Sequence, residues 1–138
     1  MGSTSSFRAG IKAVLDTYKA AHPTLLASTA SSRLGAVTEL PCAFVDIQNE
    51  TVTFDSGTRT RTFTPSAVVV FQFNSETQAD MDTVRDGLIE AFTLVPQFIT
   101  GTIWDQMAVT EGIETSGSTD FPSLTFSFGN VTIQEGRN

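Results

Sequence analysis

The chain has 138 residues and a mass of 14.8 kDa, enough for one domain that buries a core without disulfides or metals. Its 40% hydrophobic and 17% charged residues exclude global disorder. A net charge of -7, with only eight scattered Lys and Arg, excludes nonspecific nucleic-acid binding, which needs clustered cations to displace phosphate counterions. The lone Cys42 cannot form an internal disulfide, so the chain needs no oxidising compartment and suits a reduced cytoplasm. Much of the apolar content is Phe, eleven residues, which predicts an aromatic core.

Met1 to Ser6 formally fits an N-myristoylation pattern through Gly2 and Ser6, but reads better as a polar starter. No basic and apolar run of a secretory signal follows. The longest apolar stretch, Ala67 to Phe71, is far too short for a bilayer span, and the expectation is a soluble chain. Asn49-Glu50-Thr51 and Asn130-Val131-Thr132 match glycosylation sequons, which arise by chance in Thr-rich chains.

Phe7, Ile11, Val14, Leu15 and Tyr18 recur at helical spacing, which predicts a first helix from Ser6 to Ala21, capped by Ser5 or Ser6 and stopped by Pro23. Thr24 to Glu39 is rich in Ala, Ser and Thr, with Leu25, Leu26, Leu34 and Val37 as its only anchors, and reads as an irregular connection. Strands are expected at Cys42 to Ile47, Thr51 to Phe54, Arg59 to Thr64 and Ser66 to Phe73. The middle pair forms a hairpin about Asp55-Ser56-Gly57-Thr58, and the last, apolar on both faces, is central. A second helix follows from Ser75 to Val95. Asn74 or Ser75 caps it, Ser75 with Gln78 fits a capping box, and Pro96 ends it; Met81, Val84, Leu88, Phe92 and Val95 form its buried stripe. Two strands, Ile103 to Ile113 and Ser123 to Ile133, are separated by a polar loop from Glu114 to Asp120. In the last, Leu124, Phe126 and Phe128 alternate with polar residues, and the parity changes at Gly129-Asn130, which predicts a bulge or bend. The fold class is therefore α+β: a single domain over residues 1–138, with a mixed or antiparallel sheet packed against two main helices.

The chain is poor in reactive groups. His22 stands at a helix end with no activating partner in sequence, Cys42 opens an apolar strand as a small hydrophobe, and no glycine-rich phosphate loop or metal-ligand spacing occurs. Asp82, Asp86 and Glu90, on one helix face, read as a solvated acidic surface relieved by Arg85, since a straight helix cannot converge three carboxylates on one cation. No catalytic, cofactor or metal residue is expected, and the chain is expected to work by contacts rather than by a reaction. Arg59 and Arg61 project from one face of a strand beside a turn, either guarding an edge strand or docking carboxylates of a neighbouring subunit. Candidate interface residues are Arg59 and Arg61 in the hairpin, with Glu111, Glu114 and Asp120 as acidic counterparts on the next subunit. Trp104 suits the core, or an interface centre.

The order of elements, with Phe7 to Leu15 in the first helix, Ser75 to Asp82 opening the second and Phe121 to Phe128 near the end, resembles the tail terminator proteins of long-tailed bacteriophages and, more loosely, their head-tail joining relatives. The resemblance covers most of the chain in layout and carries no diagnostic motif. It implies a structural protein of the virion, at the head-proximal end of the tail after assembly in the host cytoplasm. Its partners would be its own copies in a hexameric ring, the tail tube protein and a head-tail connector protein, with DNA passing through without specific binding and no membrane involved. It implies no cofactor and no catalytic residue. An acidic wall would repel phosphate, in keeping with a DNA conduit. Another connector or minor tail component, or a small ligand-binding domain or enzyme, is the alternative.

Overall fold

Helical spacing of apolar side chains turns one face of α1 (Ser3–Ala21) into the core, with Phe7, Ile11 and Leu15 fully buried, in a computed structural model that describes residues 3–32, 39–95, 98, 104 and 106–136. The helix starts before Ser5 and Ser6, so these two lie within it instead of capping it; both are exposed, where the helix penalty of Ser is below about 0.7 kcal/mol. It ends at Ala21, and Pro23 begins a turn in which the Leu25 and Leu26 amides both donate to the His22 carbonyl, at 3.0 and 3.1 Å.

The segment expected to be irregular contains a strand, β1 (Ser28–Ala30), parallel to the start of β2 (Cys42–Asp55). Ser-Thr-Ala has no apolar alternation to betray it. Its anchoring is polar: the Ala27 amide donates to Pro41 O at 2.7 Å, and Ser28 Oγ to Glu39 O at 2.9 Å. Leu34 and Val37 lie outside the described residues.

The four strands expected next are two. β2 runs on through a register shift between Gln48 and Thr51, where Asn49 takes φ 58°, a left-handed conformation that Asn tolerates better than most residues. The turn at Ser56-Gly57 has Gly57 at φ 78° and leads into β3 (Thr58–Val70), which passes straight through Pro65. In a strand a residue's N–H and C=O point to the same side, and Pro65 O accepts from the Phe128 amide at 3.1 Å. The missing Pro65 donor thus faces away from β2, and the β2 ladder continues past it. β3 ends at Val70, three residues short of the expectation: Phe71 is buried, but Phe73 is 82% exposed.

The sheet has the order β1-β2-β3-β5-β4, with β4 (Ala108–Ser116) and β5 (Thr119–Ser127) a hairpin, and β6 (Val131–Gly136) beside the first half of β3. The polar segment Glu114 to Asp120 is therefore ladder, with Thr115 opposite Asp120, and only Gly117 (φ 63°) and Ser118 turn. The break expected at Gly129-Asn130 is present: Gly129 takes φ 73°, β5 stops pairing β3 at Ser66, and β6 resumes at Phe63. β3 is central, as its apolar content implied. Of the strand expected from Ile103 to Ile113, residues 103 and 105 lie outside the described residues, and β4 begins at Ala108.

α2 (Thr77–Thr93) buries Met81, Val84, Leu88 and Phe92, as predicted, while Val95 is half-buried beyond its end. Neither expected cap forms. Glu76 is the N-cap residue with no side-chain hydrogen bond, and the turn before it is tied by Asn74 Oδ1, which accepts from the Glu76 amide, and by Thr77 Oγ1, which donates to Gln72 O. Pro96 lies outside the described residues, and Leu94 caps the C-terminus. Both helices lie on one face of the sheet, over Phe63, Ala67, Val69 and Phe126; the other face carries a smaller apolar cluster of Cys42, Phe44, Val68 and Val70. Phe7, Phe92, Phe98 and Phe128 meet edge to face at 4.9–6.0 Å, the aromatic core that composition predicted.

Candidate functional site

The register sends the expected interface residues to opposite ends of the sheet. β3 runs away from Arg59 to Val70, Val70 pairs with Ser123, and Asp120 lies beyond it. At about 3.3 Å per residue, Arg59 and Asp120 stand about 45 Å apart along the strand direction. Within one chain the arginines do not meet Glu111, Glu114 or Asp120.

Most of these groups hold contacts inside their own chain. Arg61 Nε and Nη2 both reach Glu50 Oε2, at 2.6 and 2.5 Å. Glu111 accepts from Arg85 Nη2 at 2.7 Å, so Arg85 ties α2 to β4 instead of relieving its acidic neighbours on the helix. Asp120 Oδ1 accepts from Thr115 Oγ1 at 2.6 Å, and Glu114 is half-buried beside Cys42. The guarded-edge reading of the arginines is corrected too: β3 is flanked by β2 and β6 along the stretch that carries them.

What Arg59 and Arg61 mark is a face. They alternate in step with Phe63, Ala67 and Val69, and so lie on the helix side, opposite Phe54 and Val52 of β2. There the helices no longer cover the sheet. At 1.5 Å per residue α1 and α2 span about 28 and 26 Å, whereas the thirteen residues of β3 span about 43 Å. Phe54 is accordingly 56% exposed and Val52 42%, while Phe63 on the same face is fully buried. At the opposite end the β4–β5 hairpin also runs out, with Ile113 exposed.

The second distinctive surface is a groove of about 730 Å³ between α1 and α2, floored by small residues such as Gly10, Ala13 and Ala91. Two glycines permit close approaches here, Gly87 that of α1 to α2 and Gly10 that of the Phe98 backbone to α1. A Cβ on Gly87 would stand 2.7 Å from Tyr18 Cε1, and one on Gly10 would stand 2.8 Å from both Phe98 Cβ and Phe98 O. Leu94, 76% exposed, and the Glu90 carboxylate stand at its wall. Burial raises the Tyr18 hydroxyl pKa above its ordinary value. His22 lines the groove's end, its ring 4.6 Å from that of Tyr18.

The remaining candidates take structural roles. Cys42 is buried and its thiol is pushed up, first by burial and then by the Glu114 charge, which disfavours the nucleophilic thiolate. Asp82, Asp86 and Glu90 are exposed, and among the described residues no group of three or more potential metal ligands lies together. Trp104 donates from Nε1 to Val95 O at 2.7 Å and stacks on Phe98, 5.7 Å between rings, so it closes the core behind α2. No described helix is long and apolar enough to cross a membrane.

Sequence reasoning missed Val52, Phe54 and Leu94. The signal for the first two was present: apolar residues alternating with Thr directly opposite two arginines describe a strand face with no core beneath it. For Leu94 there was none, because its spacing from Leu88 and Ala91 fits the buried stripe almost as well. No protein-family profile matches the chain, and no curated protein matches it.

Proposed function

We propose that the protein is a structural assembly factor of a long-tailed bacteriophage, a tail terminator that forms a ring on the tail tube, stops its growth and offers the surface to which the head joins. One observation carries this reading: a single sheet extends past its helices at two opposite ends, with an exposed aromatic and two arginines at one end and exposed Ile113 with acidic neighbours at the other. Such polarity favours head-to-tail repetition of one subunit, the arrangement that closes into a ring when the rotation per copy divides a full turn. The net charge of -7 supports a conduit through which DNA slides without adhering. The burial of the Cys42 thiol, which disfavours its thiolate, supports a role in contacts over one as a nucleophile.

The test is electron microscopy of phage tails assembled with and without the protein. The expected result is labelled protein at the head-proximal end and, in its absence, tails of uncontrolled length that fail to join heads. Protein found elsewhere on the virion, or tails unchanged by its removal, rejects the terminator reading; a different position with a different ring number assigns it to another connector.

A further inference from the structure

Among the described residues, the sheet face around Val52 and Phe54 and the helix groove are two exposed apolar surfaces that are complementary in form. We infer that the face around Val52 and Phe54 of one copy is covered by the α1–α2 groove of the next copy. The inference rests on the ring reading above and names the contact that would build it.

A sheet that is apolar on one face is stable when another layer covers that face, and here the longer helix is about 15 Å shorter than β3. The outer side of the same helix pair offers a concave apolar surface of about 730 Å³ that can receive an aromatic ridge. Phe54, at 56% exposure, is the largest projecting side chain on that sheet face, and Leu94, at 76%, is an exposed large apolar side chain of the groove wall.

Charge points the same way. The exposed side of α2 carries Asp82, Asp86 and Glu90, and the bare face carries Arg59 and Arg61. Their contacts within the chain do not exclude this role, because a guanidinium has five N–H donors and can serve two carboxylates. Two copies of the bare face would instead set arginines against arginines. The two surfaces differ, so the contact is head-to-tail and leaves a face and a groove at the ends of any open chain.

Phe54→Glu disables the face and leaves the groove; Leu94→Glu does the reverse. Both sites are exposed, and circular dichroism verifies the folds; Phe54→Ser and Leu94→Ser are a second pair should either Glu variant unfold. Sedimentation of the wild type up to about 1 mM is expected to reveal species larger than a dimer. Each variant alone should be monomeric, and their equimolar mixture should give a heterodimer, because one intact face then meets one intact groove. A monomeric mixture, a monomeric wild type throughout the range, or undiminished association of either variant alone overturns the inference. If the mixture pairs but the protein is absent from the tail end, the contact stands and the terminator reading falls; a tail-end protein whose mixed variants stay apart gives the reverse.

Discussion

The same two strands, β2 and β3, pass through two different environments. Near Val45 and Val69 they are buried on both faces, under helices on one side and the Cys42 and Phe44 cluster on the other. Near Phe54 and Arg59 they are paired just as regularly, with β6 added, but their helix-side face is exposed at Val52 and Phe54. Strand formation is thus a matter of ladder and alternation, whereas burial is decided by the length of the helices. A chain that makes strands longer than its own helices leaves part of a sheet face exposed, here at Val52 and Phe54.

The largest test of this contrast sets one Phe against another. Phe92→Ala, in the covered half, should lower stability by about 3 to 5 kcal/mol, out of a total of about 5 to 15 for such a domain. Phe54→Ala, in the bare half, should cost under about 1 kcal/mol in dilute solution. Urea denaturation measures both, and equal costs would mean that the bare face is packed. A smaller effect is expected at Gly87, where Ala must push Tyr18 aside: overpacking costs about 1 to 3 kcal/mol, of which better helix propensity returns up to about 1. Gly87→Ala combined with Tyr18→Ala should remove the clash, which a double-mutant cycle would register.

The smallest effect belongs to Asp16 on α1. Burial alone would raise its pKa, but hydrogen bonds from Thr29 on β1 and from Lys12, with the charges of Lys12 and Lys19, outweigh it and hold the carboxyl below its ordinary 3.8. A pKa lowered by folding stabilises above the unfolded value, and that stabilisation is lost as pH falls through the folded value. Asp16→Asn should therefore lower the melting temperature slightly at neutral pH, within the range of about 1 kcal/mol for exposed pairs, and the difference should vanish in acid. A difference that grows on acidification would contradict the assignment.

Both helices, the Gly57 turn and the break at Gly129 were legible in the chain, because each depends on local periodicity or on one residue's conformational freedom. β1 was not, since a three-residue polar strand exists only through its partner. The continuity of β3 through Pro65 was hidden for a related reason: proline's missing donor matters only on the side toward which it points. Of the residues expected at an interface, Arg59 and Arg61 lie on an exposed sheet face whose apolar character comes from Val52 and Phe54 opposite them. Sequence could not say that Glu111 is taken by Arg85, because the two meet only after α2 and β4 are laid side by side.

At Pro65 the partner of β3 changes from β5 to β6, and at the same level the chain turns through Gly129. Covalent continuity is kept there, while cooperative pairing is handed from one strand to another. The two halves are therefore suited to open with different free energies: the β6 side can breathe while the helix-covered side stays closed. Amide protons of Arg61 to Phe63 should exchange sooner than those of Ala67 to Val69. An end of the molecule that fluctuates in the free subunit and becomes protected on contact would link assembly to a gain of order.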